Sequence, residues 1–187
     1  FRQTFIELYD ALEDAGLAML EALAPSLDVP RDFFRKMATD GNSILRLLHY
    51  PPVPDGVDPG SIRAAAHEDI NLITILVAAN GAGLQLLDRD GKWLPVDTDP
   101  DNLIVDAGDM LARVCNDVIP ATTHRVINPE GSVNESRYSM PFFVHFRPDF
   151  EIAPLESCVA EGEEATAPKP ILAHDFLMQR LREINLA

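Results

Sequence analysis

Between Leu45 and Phe146 the apolar and β-branched residues fall in short runs cut by turn residues, a spacing that few folds accommodate. The runs 45–50, 61–67, 71–77, 83–87, 92–97, 102–106, 123–127 and 137–146 predict eight short strands. Eight strands of this length predict a jelly roll, so the expected fold class is mostly β with flanking helices. The plainest hairpin signal is Asp90-Gly91 between Leu84-Gln85-Leu86-Leu87 and Trp93-Leu94-Pro95-Val96, because Asp-Gly suits a turn that needs positive φ. Pro51, Pro52, Pro54 and the pair Asp58-Pro59 keep residues 51–60 out of the sheet.

Helical periodicity frames this β region. Phe5, Leu8, Leu12, Ala15, Met19 and Leu23 form one stripe of an amphipathic helix over residues 4–24, and a short helix over Arg31–Met37 follows. At the other end, Phe176, Leu177, Leu181 and Ile184 mark the buried side of a helix over Asp175–Leu186, with His174 near its start. Residues 151–170, rich in Glu and containing Pro154, Pro168 and Pro170, read as a surface connection. The expected organisation is therefore a helical support over 1–44, a jelly-roll core over 45–150, and a connection plus helix over 151–187. A chain of this length can bury one core.

Charge excludes some partners. Fifteen Lys and Arg against thirty Asp and Glu give a formal net charge of -15, which repels phosphate backbones and anionic membrane surfaces, so neither nucleic acid nor membrane is expected as a partner. No run of about 18 apolar residues occurs to span a bilayer. The two cysteines, Cys115 in a strand-like stretch and Cys158 in a polar tail, form no CxxC or disulfide framework, and free thiols in a reducing cytoplasm are the simplest account.

His67-Glu68-Asp69 places two potential metal ligands two residues apart, on the same face of an extended strand. By itself such a triplet is weak. His124 lies in another β-rich segment, Thr122-Thr123-His124-Arg125-Val126, which a jelly roll can bring back beside the first. Two His and one carboxylate occupy one face of an octahedron and leave positions open, as a redox iron that binds substrate and O₂ together requires; a structural zinc site would be closed by four ligands. Taken singly, His124 also reads as a strand histidine and Asp69 as a turn carboxylate.

A second constellation follows at Arg137-Tyr138-Ser139, where a guanidinium and a hydroxyl again share one strand face and can grip a carboxylate. Charge supports joining the two: Fe(II) with one carboxylate and two neutral imidazoles carries a net positive charge, Arg137 adds another, and a dicarboxylate dianion balances both. His49 and His145 are expected as packing or edge histidines, and Asp109 and Asn116 in turns.

These residues carry a family resemblance. His67-x-Asp69, His124 and Arg137-x-Ser139 followed by Met140-Pro141-Phe142-Phe143 resemble the isopenicillin N synthase-like group of 2-oxoglutarate and Fe(II)-dependent oxygenases. Leu45-Arg46-Leu47-Leu48-His49-Tyr50-Pro51-Pro52 is similar to the family's strand entering the barrel, Gly83-Leu84-Gln85 and Gly91-Lys92-Trp93 to its middle hairpin, and Val105-Asp106-Ala107-Gly108-Asp109 to a following strand and turn. The resemblance implies a double-stranded β-helix of cupin-like form, Fe(II) on His67, Asp69 and His124, and 2-oxoglutarate as co-substrate with its far carboxylate on Arg137 and Ser139. It also implies O₂ as the oxidant and a small organic molecule as substrate. Tyr50 would help hold that carboxylate by the same resemblance, although a tyrosine packing beside prolines is an equal reading. Leu48 stands where many plant members carry Asn, which points to a bacterial type. Family members carry a segment before the long helix, and that segment is expected to be incomplete here.

The activity implied is oxidative decarboxylation of 2-oxoglutarate to succinate, coupled to hydroxylation or desaturation of the substrate. Two alternatives stay open: an oxidase like isopenicillin N synthase that makes no use of 2-oxoglutarate, and a jelly-roll protein that binds a metal or carboxylate without turnover.

Overall fold

In the computed structural model, which describes residues 1–187 except 59, 78–80, 98, 100, 130, 132, 168 and 187, strand alternation divides the central sheet's side chains between a helix-covered face and a cavity. Pro59 and Pro168 lie outside the described residues. Helices α1 (Arg2–Leu23) and α2 (Phe33–Ala38) lead into β1 (Ile44–Leu45), β2 (Leu48–Tyr50), β3 (Ala64–His67), β4 (Ile73–Val77), β5 (Leu84–Leu87), β6 (Trp93–Pro95) and β7 (Leu103–Ala107). Helix α3 (Asp109–Val114), β8 (His124–Val126), β9 (Arg137–Val144), β10 (Glu151–Ile152), β11 (Ile171–Leu172) and α4 (Ala173–Glu183) complete the chain.

Five strands form one sheet in the order β1-β9-β4-β7, with β2 also on β9, and four form a second in the order β3-β8-β5-β6. Their pairings are antiparallel, as the jelly-roll expectation requires. The run expected as one strand over 45–50 is two pieces on β9: β1 pairs with Phe142 and Phe143, β2 with Arg137–Ser139, and the Arg46 amide donates to the Pro141 carbonyl at the break. The Asp90-Gly91 turn forms as expected, with Gly91 at φ 75 and the Asp88 carboxylate accepting from the amides of Asp90 and Lys92. Pro95 sits in β6, an edge strand, where a missing amide costs no ladder bond.

Odd and even positions of β9 have different fates. Phe142 and Val144 enter the core with Ile73 and Ile75 of β4 and Leu12, Leu17 and Leu20 of α1, while Arg137, Ser139, Pro141, Phe143 and His145 turn to the cavity with Thr74 and Leu76. Each fully buried Phe or Leu of this core contributes about 1.5–3 kcal/mol.

Four sequence readings need correction. The buried face of α1 is Leu12, Gly16, Leu17 and Leu20, and Met19 is exposed. The cause is Gly16: a Cβ there would lie 2.8 Å from Val144 Cγ2 and 3.1 Å from Ile75 Cδ1, so the glycine lets the helix seat on the sheet and rotates Met19 outward. Asp109 begins helix α3 and Cys115 caps it, because Met110, Leu111 and Val114 bury at helical spacing. Residues 151–170 are not wholly superficial, since Ile152 is fully buried and Leu155 donates its amide to the Val114 carbonyl. Ile184 is exposed at the end of α4, where with Leu181 it borders the cavity, while Leu177 touches both the cavity and the core.

Candidate active site

The register of β3 with β8 sets His67 directly opposite His124. Asp69, just past the end of β3, completes the group. One ligating atom from each of the three residues lies within 4.8 Å of the others: His67 Nε2 is 3.8 Å and His124 Nε2 4.0 Å from Asp69 Oδ1. Both imidazoles are oriented from behind. Nδ1 of His67 is 2.7 Å from the Ala65 carbonyl and Nδ1 of His124 is 3.0 Å from that of Thr122, which fixes the Nδ1–H tautomer and leaves each Nε2 lone pair for a metal. Asp69 is held in the same manner, because Thr74 donates to Oδ2 while accepting from Asn71, and among the described residues no hydrogen bond occupies Oδ1. This donor set fits a divalent iron with open positions.

The loop behind Asp69 tolerates no side chain at Gly108. A Cβ there would sit 2.4 Å from the Asn71 carbonyl oxygen and 2.8 Å from that of Asp69. Gly108 precedes α3, whose first residue Asp109 donates its amide to the Asp69 carbonyl and ion-pairs with Arg180 at 2.9 Å, tying α4 to the edge of the site.

Arg137 and Ser139 lie on the cavity face of β9, opposite Tyr50 and Leu48 of β2. The Arg137 guanidinium stands 5.5 Å over the Tyr50 ring, donates to the Gly81 carbonyl, and is 3% exposed. Burial pulls its pKa down, with the Tyr50 hydroxyl opposing and Arg63 adding to the depression. Among the described residues no carboxylate pairs with it. A buried guanidinium without a counter-charge is a costly arrangement unless an anion completes it.

One cavity of about 500 Å³ contains the triad, Tyr50, Arg137 and Ser139, so all six residues singled out in the sequence are brought together. Its size suits a small-molecule site. Sequence reasoning missed Thr74, Asn71, Asp106 and His145. His145, taken for a packing or edge histidine, is buried in the cavity wall, where burial pushes its pKa down to about 4 against the pull of Asp69. Asp106, in the same wall, is pushed up to about 8, first by burial and then by the charge of Asp69.

In the metal-free protein these two groups move stability in opposite directions with pH. The unfolded chain binds more protons at His145 between its ordinary value of 6.5 and about 4, so this contribution is lost as pH falls through that window. The folded chain binds more at Asp106 between about 8 and 3.8, so that contribution grows as pH falls. Between about pH 7.5 and about pH 5, His145→Phe is expected to gain about 2 kcal/mol more stability than the parent gains, read from urea midpoints. An unchanged pH response would show that His145 is not held neutral.

Comparison with known proteins places the chain in a family. The sequence model of the 2OG-Fe(II) oxygenase superfamily matches residues 41–146. The 2-oxoglutarate-Fe(II) type oxidoreductase hxnY of Emericella nidulans is 37% identical over 95% of this chain and 50% of its own length. A crystal structure of a 2OG-Fe(II) oxygenase family protein from Caulobacter crescentus superposes with a TM-score of 0.90 at 49% identity, over 98% of this chain and 59% of that one. A full-length Neurospora crassa protein in complex with alpha-KG and thymine superposes with a TM-score of 0.89 at 30% identity, over 98% of this chain and 56% of that one. The chain thus spans about half the length of the curated relatives it matches. With the superfamily model covering the whole strand region that carries the cavity, the chain belongs to the 2OG-Fe(II) oxygenase superfamily.

Proposed function

We propose that this chain is the catalytic core of an Fe(II)- and 2-oxoglutarate-dependent dioxygenase acting on a small organic substrate. One observation carries the reading: a guanidinium buried without a carboxylate partner among the described residues shares a single cavity with two imidazoles and a carboxylate converging on one point. Residues 45–150 hold the site, while 1–44 cover the outer sheet face and 151–187 bring α4 to the cavity rim.

Nε2 of His67, Nε2 of His124 and Oδ1 of Asp69 would hold the iron. Bound there, Fe(II) supplies the redox chemistry that uses one O₂ in converting 2-oxoglutarate to succinate and CO₂ and in oxidising a substrate C–H bond to C–OH. The protein's part is placement. Arg137 offers its planar fork to the far carboxylate of 2-oxoglutarate, Ser139 adds a hydroxyl from the same strand face, and Tyr50 flanks the guanidinium. Thr74 fixes the Asp69 carboxylate, and the Ala65 and Thr122 carbonyls fix the imidazoles. Leu177 and Leu181 of α4 limit the access of water at the rim. Cys115 and Cys158 are free thiols, which suits a reducing cytoplasm and completes the proposal; no helix among the described residues is long and apolar enough to cross a membrane.

The test is the yield of succinate from 2-oxoglutarate in the Fe(II)-loaded protein, measured beside O₂ consumption. Equal amounts are expected. O₂ consumption with substrate oxidation but no succinate would refute the co-substrate and favour the oxidase alternative.

A further inference from the structure

The cavity wall holds two polar side chains that the chemistry above leaves unused. Asp106 lies on β7 opposite Thr74 of β4, and Thr74 lies opposite Phe143 of β9. His145 is two residues beyond Phe143 on the same strand face, at 5% exposure. Asp106 Oδ1 and His145 Nδ1 are both sealed from solvent without a hydrogen-bond partner among the described residues. Both side chains line the cavity, so the contents of the cavity are what their remaining hydrogen-bonding atoms can meet.

We infer that Asp106 and His145 form a substrate-recognition subsite for an uncharged cyclic amide, a ring bearing N–H and C=O groups on its rim. This rests on the dioxygenase reading and adds the class of substrate. Four considerations lead to it. A hydrocarbon substrate would leave both polar groups unmet, each costing as much as a lost buried hydrogen bond. An anionic substrate would add negative charge to a cavity whose positive groups, the iron site and Arg137, are already balanced by the 2-oxoglutarate dianion. A cationic one would find no ionised carboxylate at Asp106, whose carboxyl burial keeps protonated near pH 7. A ring amide instead can both donate its N–H to the Asp106 carboxyl and accept from it, and can offer His145 an acceptor, while its faces meet the apolar walls of Pro141 and Phe143. The two polar residues stand two strand spacings apart, about 10 Å or more at the backbone, so the ligand must carry its polar groups on separate edges as a ring does. Burial keeps the His145 imidazole neutral near pH 7, with one nitrogen donating and one accepting.

The experiment titrates the anaerobic Fe(II)- and 2-oxoglutarate-loaded protein with thymine, 2-pyridone and 2-piperidone, each against its N-methylated form, by calorimetry. At least one ring amide is expected to bind, with its N-methylated form about ten-fold weaker or more. Asp106→Leu and His145→Phe should each weaken binding by about ten-fold, while Asp106→Asn, which keeps a polar group in the same space, should retain most of it. Thermal melts confirm that each variant is folded. The proposal is overturned if no ring amide binds a protein that takes up 2-oxoglutarate, or if Asp106→Leu and His145→Phe bind as the parent does. Failure to take up 2-oxoglutarate at all overturns the dioxygenase reading beneath it, and is distinguished by a titration with 2-oxoglutarate alone.

Discussion

His124→Ala is expected to lower iron affinity by more than about a hundred-fold and to abolish O₂ consumption with it, since even the loss of an outer-shell partner costs about 10- to 100-fold in metal sites. Two donors would remain, His67 and Asp69, and His67 is on the more open side of the group: its side chain is 47% exposed against 11% for His124. Removing the buried donor also opens the cavity side of the triad to water. His67→Ala should lose iron binding and O₂ consumption together as well. Glu68→Gln is the internal control, because Glu68 accepts a hydrogen bond from Thr123 and belongs to no cluster of converging donors among the described residues. Iron per chain after desalting, with an oxygen electrode on the same samples, checks the prediction. Unchanged iron affinity in either histidine variant would dissolve the triad.

Arg137→Leu is expected to raise the 2-oxoglutarate concentration for half-maximal succinate release by about 10²- to 5 × 10³-fold, with little loss of iron. This range follows from removing one partner of a buried charge pair, which costs about 3–5 kcal/mol when the other charge is left uncompensated. Arg137→Lys restores charge without the fork and should fall between Leu and the parent. Equal half-saturation in parent and Leu variant would remove Arg137 from the co-substrate site.

Much of this site is readable from residue parity. His67 and Asp69 two apart, and Arg137 and Ser139 two apart, announce shared strand faces, and the hairpin at Asp90-Gly91 announces itself by its turn chemistry. Parity extended by three more steps along β9 reaches His145, and in β7 it sets Ile104 and Asp106 apart from the exposed Leu103 and Val105. A period-two pattern does not say whether a polar position meets water or a cavity, so these two are not distinguished from edge residues. The helix α3 hides for a different reason: Asp109–Val114 is too short for a repeating stripe, and its position depends on Gly108 packing against the Asn71 and Asp69 backbone. The face of α1 escapes the sequence pattern because the helix is seated by an absent side chain, at Gly16, which an apolar stripe does not register.

Iron held by His67, Asp69 and His124 is expected to keep adjacent positions open for the keto acid end of 2-oxoglutarate. Anaerobic titration of the Fe(II) protein with 2-oxoglutarate, followed by the visible metal-to-ligand charge-transfer band, addresses this directly. A band that saturates at one equivalent per chain and is missing from His124→Ala is the expected result. An iron-loaded parent with no band, or an equal band in His124→Ala, would contradict the account.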